Sequence, residues 1–221
     1  MAGRVIDIPN PLGGVIPIQQ VARIGQVESQ ATGGAAYRIA LKSGSTGLTG
    51  LAAAAPVFAF RWANAALNAL VTKFRWSFVV TTVTTVAGVL DSALSIARGF
   101  SVMDTGGAAV TLSGNDQKKR SSYPTTSAAA RIAQTTALVA GTRTLDDNPV
   151  AIDSAWLSTT TLGTIPGFTA EQEADIGPDQ EGILLAANEG IVLALIAAMP
   201  ATTVAQLYLE IDWKEIPIGA Y

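Results

Sequence analysis

The side chains in this sequence best suited to chemistry are carboxylates, and they fall in two groups. Glu171, Glu173, Asp175, Asp179 and Glu181 lie close together in the chain. Hard oxygen donors at this density could take Ca²⁺. The Asp-x-Asp-x-Asp-Gly order of a calcium loop is missing, so the segment reads as a solvated or salt-bridging loop. No metal ligand is assigned. Asp146, Asp147 and Asp153 could supply the paired carboxylates of a glycoside hydrolase. Neighbouring residues of a strand point to opposite faces, which makes Asp146 and Asp147 a poor pair. Turn and capping roles are expected instead.

The rest of the catalytic menu is thin. The chain has no Cys and no His. It therefore has no disulfide framework, thiolate metal site or Cys nucleophile. It also has no Ser-His-Asp triad and no HExxH zinc site. The glycine runs lack the order of a phosphate loop. Lys118, Lys119 and Arg120 form the one basic cluster, and no aromatics interleave it, so a solvated turn or a charge-paired subunit contact is expected there. No catalytic residue and no cofactor are assigned, and the chain is read as non-enzymatic.

Length and charge bound the partners. With 221 residues the chain fits one domain, or one domain with an arm, and can bury a sizeable core. The net charge is −3, so free nucleic acid is not an expected partner. Residues 1–9 contain Asp7 and Pro9 and lack the apolar core of a signal peptide. No run reaches the roughly 18 to 20 apolar residues of a spanning helix, so no membrane association is expected. Only 14% of residues are charged while 49% are hydrophobic, much of it Ala. Such a composition suits surface hidden in an assembly.

Behind these residues the pattern is one of strands. Tyr37, Ile39 and Leu41 alternate with Arg38, Ala40 and Lys42. Phe58, Phe60 and Trp62 alternate with Val57, Ala59 and Arg61. Phe74, Trp76, Phe78 and Val80 oppose Lys73, Arg75, Ser77 and Val79. At 180° per residue the aromatics share one face. Leu207, Leu209, Ile211 and Trp213 repeat the pattern near the C-terminus. Short strands are also expected at Ala109 to Leu112, Ile183 to Ala186 and Ile191 to Ala197. Ala63 to Val71 admits a helix, because Ala66 and Leu70, like Leu67 and Val71, sit four apart. Ser127 to Ala130 could be a helical turn. Arg98 follows Leu94 and Ile96 on an apolar face; it either needs a buried carboxylate or escapes to solvent at Gly99. Eight to ten strands with short turns predict an all-β fold: an antiparallel β-sandwich, favouring a jelly roll.

Residues 1–35 read as an extended arm and 36–221 as the sandwich domain. Pro9, Pro11 and Pro17 oppose a regular helix in the arm. Yet Val5, Ile6, Ile8, Leu12, Val15, Ile16, Ile18, Val21 and Ile24 make it apolar. Burying each side chain is worth roughly 1.5–3 kcal/mol, so the arm must lie on something. That surface is its own domain or a partner subunit. These nine residues are the candidate interface.

Several segments resemble tailed-bacteriophage structural proteins: Phe60 to Ala63, Asp104 to Gly107, Gly114 to Asp116 with Lys119, Ala140 to Asp146, and Leu185 to Gly190. The likeness spans about residues 55–215 and rests on turns and strands. It implies a virion protein of the head decoration or cement type. Such a protein would bind the major capsid protein lattice on the capsid surface, commonly as a trimer, after synthesis in the bacterial host cytoplasm. An alternative within the same resemblance is a tail or fibre jelly-roll module that binds host glycans, with Trp156 and Tyr123 as candidate contacts in loop-like segments.

Overall fold

A computed structural model describes residues 6–9, 15–18, 35–82, 85–157, 159, 172–174 and 182–218. The described elements are all strands: β1 (Ile6–Pro9), β2 (Val15–Ile18), β3 (Ala35–Lys42), β4 (Leu48–Thr49), β5 (Pro56–Trp62), β6 (Leu67–Thr82), β7 (Gly88–Val102), β8 (Ala108–Ala109), β9 (Ala128–Ile132), β10 (Thr142–Leu145), β11 (Ala151–Leu157), β12 (Gln172–Ala174), β13 (Ile183–Leu185), β14 (Glu189–Leu195) and β15 (Val204–Pro217).

The body is two antiparallel sheets packed face to face. The first has the order β12-β6-β15-β3, with β13 also on β6 and β4 on β15. The second has the order β10-β7-β14-β5-β9-β8, with β11 also on β7. Take β3, β5, β6, β7, β10/β11, β12/β13, β14 and β15 as positions one to eight. The first sheet then reads 1-8-3-6 and the second 2-7-4-5, which is the strand order of a jelly roll. The β8–β9 hairpin is an insertion that widens the second sheet beyond β5.

The alternation in the sequence explains the core. Tyr37 and Ile39 from β3, Phe74, Trp76 and Phe78 from β6, and Leu207, Leu209, Ile211 and Trp213 from β15 point inward from the first sheet and are buried. Phe58, Phe60, Trp62, Leu94, Ile191 and Leu193 meet them from the second. Aromatic pairs cross the gap: Phe58–Phe74 at 5.9 Å and Phe60–Trp213 at 5.2 Å between ring centroids. Trp213 also stacks on Tyr37 at 5.2 Å. Such pairs contribute roughly 0.5–1.5 kcal/mol each beyond their area. Trp76 Nε1 donates to Ser92 Oγ of the opposite sheet at 3.0 Å, so this buried indole keeps a partner.

Strand β6 runs sixteen residues by shifting phase once. Ala69 and Val71 are buried, then Phe74, Trp76 and Phe78, and the register against β15 shifts between Asp212 and Trp213. A bulge of this kind lets one strand keep its apolar face inward along its whole length.

Three local expectations resolve toward strands. Ala63 to Val71 is not a helix: the chain turns through 63–66 and enters β6 at Leu67. The Asn64 Oδ1 accepts the Ala66 N–H at 2.7 Å, a side-chain turn that competes with helix. Ala128 starts strand β9, paired to Trp62 of β5, so Ser127 to Ala130 is not a helical turn. The short strand expected at Ala109 to Leu112 shrinks to Ala108–Ala109.

The arm segments β1 and β2 pair antiparallel with each other, Ile6 opposite Ile18 and Ile8 opposite Ile16. They form a two-stranded sheet that joins neither sheet of the body.

Candidate functional site

The outward side of the first sheet is a lattice of charge. Alternation puts Arg38, Lys73, Arg75, Glu210 and Asp212 on this face. The carboxylate of Glu210 takes Arg38 and, at 3.0 Å, Lys73. Asp212 takes Lys119 at 2.6 Å and Arg38 at 3.6 Å. Lys119 reaches it because residues 117–119 run beside β3: Arg38 N–H donates to Gln117 O at 2.8 Å and Lys119 N–H to Ala36 O at 2.9 Å. The basic cluster thus extends this sheet, and one of its members is charge-paired. In β12, Glu173 stands opposite Arg75 in register. Glu171, Asp175, Asp179 and Glu181 lie outside the described residues. Lys42 sits over the Tyr208 ring at 5.3 Å. Surface pairs of this type contribute little each, about 0–1 kcal/mol, and here the cations are more exposed than the acids they hold, Glu210 at 15% and Asp212 at 14%.

The end of the second sheet is tied by two arginines. Arg98 contacts Asp146 at 3.1 Å and Glu189 at 2.5 Å, and its side chain is 47% exposed. The hydrogen bonds it donates to Asp146 first, then Glu189, hold the guanidinium more firmly in its charged form. Arg98 therefore reaches solvent, helped by Gly99 at φ +57°, and finds carboxylates there. The second arginine is Arg61, whose Nε donates to Phe100 O at 2.5 Å and whose Nη2 donates to Asn188 Oδ1 at 3.1 Å. Gly190 is required between them, because a Cβ there would lie 2.1 Å from Phe60 O.

Of the carboxylates weighed for glycoside chemistry, Asp147 is exposed after β10. Asp146 is held by Arg98. Asp153 is buried on the inward side of β11, opposite Ser92. Among the described residues, no group of three or more Asp or Glu side chains could hold a metal ion.

Two buried carboxylates escaped the sequence reading. Asp104 accepts Arg143 Nε at 2.8 Å, Arg143 Nη2 at 2.7 Å and the Gly141 N–H at 2.9 Å. The two side chains are 0% and 6% exposed. A bidentate pair with a further backbone donor is the geometry that a buried pair needs. It pins the loop after β7 to β10, and nothing in the turn sequence around Asp104 marks it. Glu215 is the second, and its signal is the inward alternation of β15 continued past Trp213. Its carboxylate accepts Thr126 Oγ1 at 2.6 Å and the Ser127 N–H at 3.3 Å. Burial pushes its pKa above the usual carboxylate range, and those two hydrogen bonds oppose the shift. Burial, then the Glu215 charge, likewise raises the Tyr37 phenol, which donates to Pro124 O at 2.9 Å.

The candidate interface residues divide. Ile6, Ile8, Val15, Ile16 and Ile18 lie in β1 and β2, while Val5, Leu12, Val21 and Ile24 fall outside the described residues. Trp156 is not in a loop: it stands on β11, and its side chain points away from the core at 64% exposure. Tyr123 packs against the core, 6.4 Å from Tyr37. Ile152, on the same face as Trp156, is 55% exposed, and Ile196 across β7 is 45% exposed. Among the described residues, no helix is long and apolar enough to cross a membrane.

No family model, no curated protein and no solved structure matches this chain.

Proposed function

We propose that this chain is a non-enzymatic virion structural protein, a head decoration or cement protein. In this reading its arm clamps a neighbouring copy, and the resulting homo-oligomer, a trimer in the favoured form, binds the major capsid protein lattice on the capsid surface. The observation that carries the reading is the arm. Its sequence is apolar, and among the described residues β1 and β2 pair with each other and with neither body sheet. An apolar segment not woven into its own domain gains most by lying on a neighbour, where buried side chains and strand addition both contribute. Several copies joined in this way then hold a lattice by multivalent contact. The jelly-roll body supports the reading as a rigid platform with an ion-paired face.

Cosedimentation with heads of the virus that encodes the chain tests it. The full chain saturates them, and a chain lacking residues 1–30, shown folded by circular dichroism, does not. Saturation by the truncated chain would overturn the reading.

The exposed Trp156 favours a second reading, a tail or fibre module that stacks host sugars on this ring. A glycan array separates the two: hits lost on Trp156→Ala would establish the second.

A further inference from the structure

We propose that the outer face of β11, centred on Trp156, is the surface that receives the arm of a second copy of this chain. The inference rests on the reading of the arm as a subunit clamp and adds the place where it lands.

The face has the character of a covered surface. On β11 the outward residues are Ile152, Ser154 and Trp156, with no charge among them. Register places Ile152 opposite Ala93, Ser154 opposite Asp91 and Trp156 opposite Val89 of β7. Beyond β7, Ile196 donates its N–H to Asp91 O at 3.0 Å, which sets its side chain beside this row. Ile152, Trp156 and Ile196 are all more than two-fifths exposed in the single chain. Trp156 and Ile152 are the exposed apolar groups of β11, and Ile196 adds a third beyond Asp91, the one charge on this part of the face; exposed apolar groups around a Trp mark a contact. The ion-paired face of the other sheet shows how the same molecule treats a surface left to water.

The strand also offers hydrogen bonds. Among the described residues, β11 pairs with β7 on one side and with nothing on the other. A free strand edge of seven residues, without Pro or outward charge, is a template for an added strand.

The sequence and the geometry together select the occupant. The arm from Val5 to Ile24 holds nine aliphatic side chains with three prolines between them. Its twenty residues match the about 20–30 a side of a standard interface. Trp156 is 64% exposed in the single chain, so the ring is available to a second copy. Pairing β11 with a second β11 is the other symmetric choice. It would bring two buried Asp153 carboxylates to one seam, and an inward charge of this kind guards an edge against such pairing. An arm from one copy on the face of the next is a head-to-tail contact, the kind that forms a ring when the rotation between copies closes.

The tryptophans provide the assay. Trp62, Trp76 and Trp213 are at most 1% exposed, so an aqueous quencher such as iodide reads Trp156. Trp156→Phe supplies the blank. In the full chain at concentrations where it is oligomeric, iodide leaves the Trp156 emission unquenched. In the full-length variant with Ile8→Asp and Ile16→Asp, which remains folded and becomes monomeric, iodide quenches it. Trp156→Ser raises the dissociation constant at least about 30-fold, the size of a hot-spot side chain, without shifting the unfolding midpoint of the monomer. Dissociation by the arm substitutions with Trp156 equally quenchable before and after, and an intact Trp156→Ser oligomer, would overturn the landing site and leave the arm reading standing. Protection of Trp156 in a monomeric full chain would show the arm folding onto its own body and overturn the second-copy claim. An oligomer untouched by the arm substitutions would overturn both.

Discussion

The outward faces of the two sheets are built on opposite terms. The first sheet turns Arg38, Lys73, Arg75, Glu210 and Asp212 outward, and its two acids are held by Lys and Arg from three segments of the chain. At its β11 edge the second sheet turns Ile152 and Trp156 outward and leaves them uncovered. The first face meets its acids with cations from the same chain. The second costs free energy until something covers it. In the proposed assembly the apolar face is the one that associates. Charge is also used differently by depth. The exposed lattice distributes weak pairs over a surface, whereas Asp104 and Arg143 form a single buried clasp.

Breaking that clasp is expected to have the largest effect. Arg143→Ala leaves the Asp104 carboxylate buried without its cation and costs about 3–5 kcal/mol, read by urea denaturation. Loss of less than about 1 kcal/mol would place this pair with the surface lattice. Glu215 gives the next effect, and it depends on pH. Its carboxyl is shifted upward in the folded state. The stability it contributes is therefore full below the ordinary carboxylate range and is lost as pH rises through the raised value. Glu215→Gln keeps the acceptor for Thr126 and should raise the unfolding midpoint at neutral pH, with the gain shrinking toward pH 4. A gain independent of pH would assign the effect to packing.

Arg38→Ala tests the lattice itself. It should cost at most about 1 kcal/mol, because the pairs are exposed and Lys73 and Lys119 still hold the two acids. The smallest effect on folding belongs to the apolar face. Trp156→Ser should change monomer stability by no more than about 0.5 kcal/mol, because the ring contributes little to the core. A large loss would mean that the ring is a packing residue and that the contrast between the faces is wrong.

Most of the sandwich was legible because period-2 alternation and burial are the same fact seen twice. Phe74, Trp76 and Phe78 face inward for the reason that Lys73 and Arg75 do not. Strand order was less accessible, since it depends on which β-strands meet across long connections. The rival helix at Ala63 to Val71 arose from alanine and leucine spacing that also fits a turn followed by a strand. Trp156 was singled out, yet its segment was taken for a loop, because Asp153 breaks the apolar row that should announce β11. Asp104 and Arg143 are thirty-nine residues apart and meet only through the fold. No local pattern could have paired them. The arm was marked by composition alone, and its partner is the question the sequence left open.

Light scattering after size exclusion, over a range of concentrations, addresses that question most directly. It should be run on the full chain and on the full-length variant with Ile8→Asp and Ile16→Asp. The account predicts an oligomer for the full chain and a folded monomer for the variant. A monodisperse monomer for both chains, or an oligomer of the same mass for both, would contradict the claim that the arm joins one copy to the next.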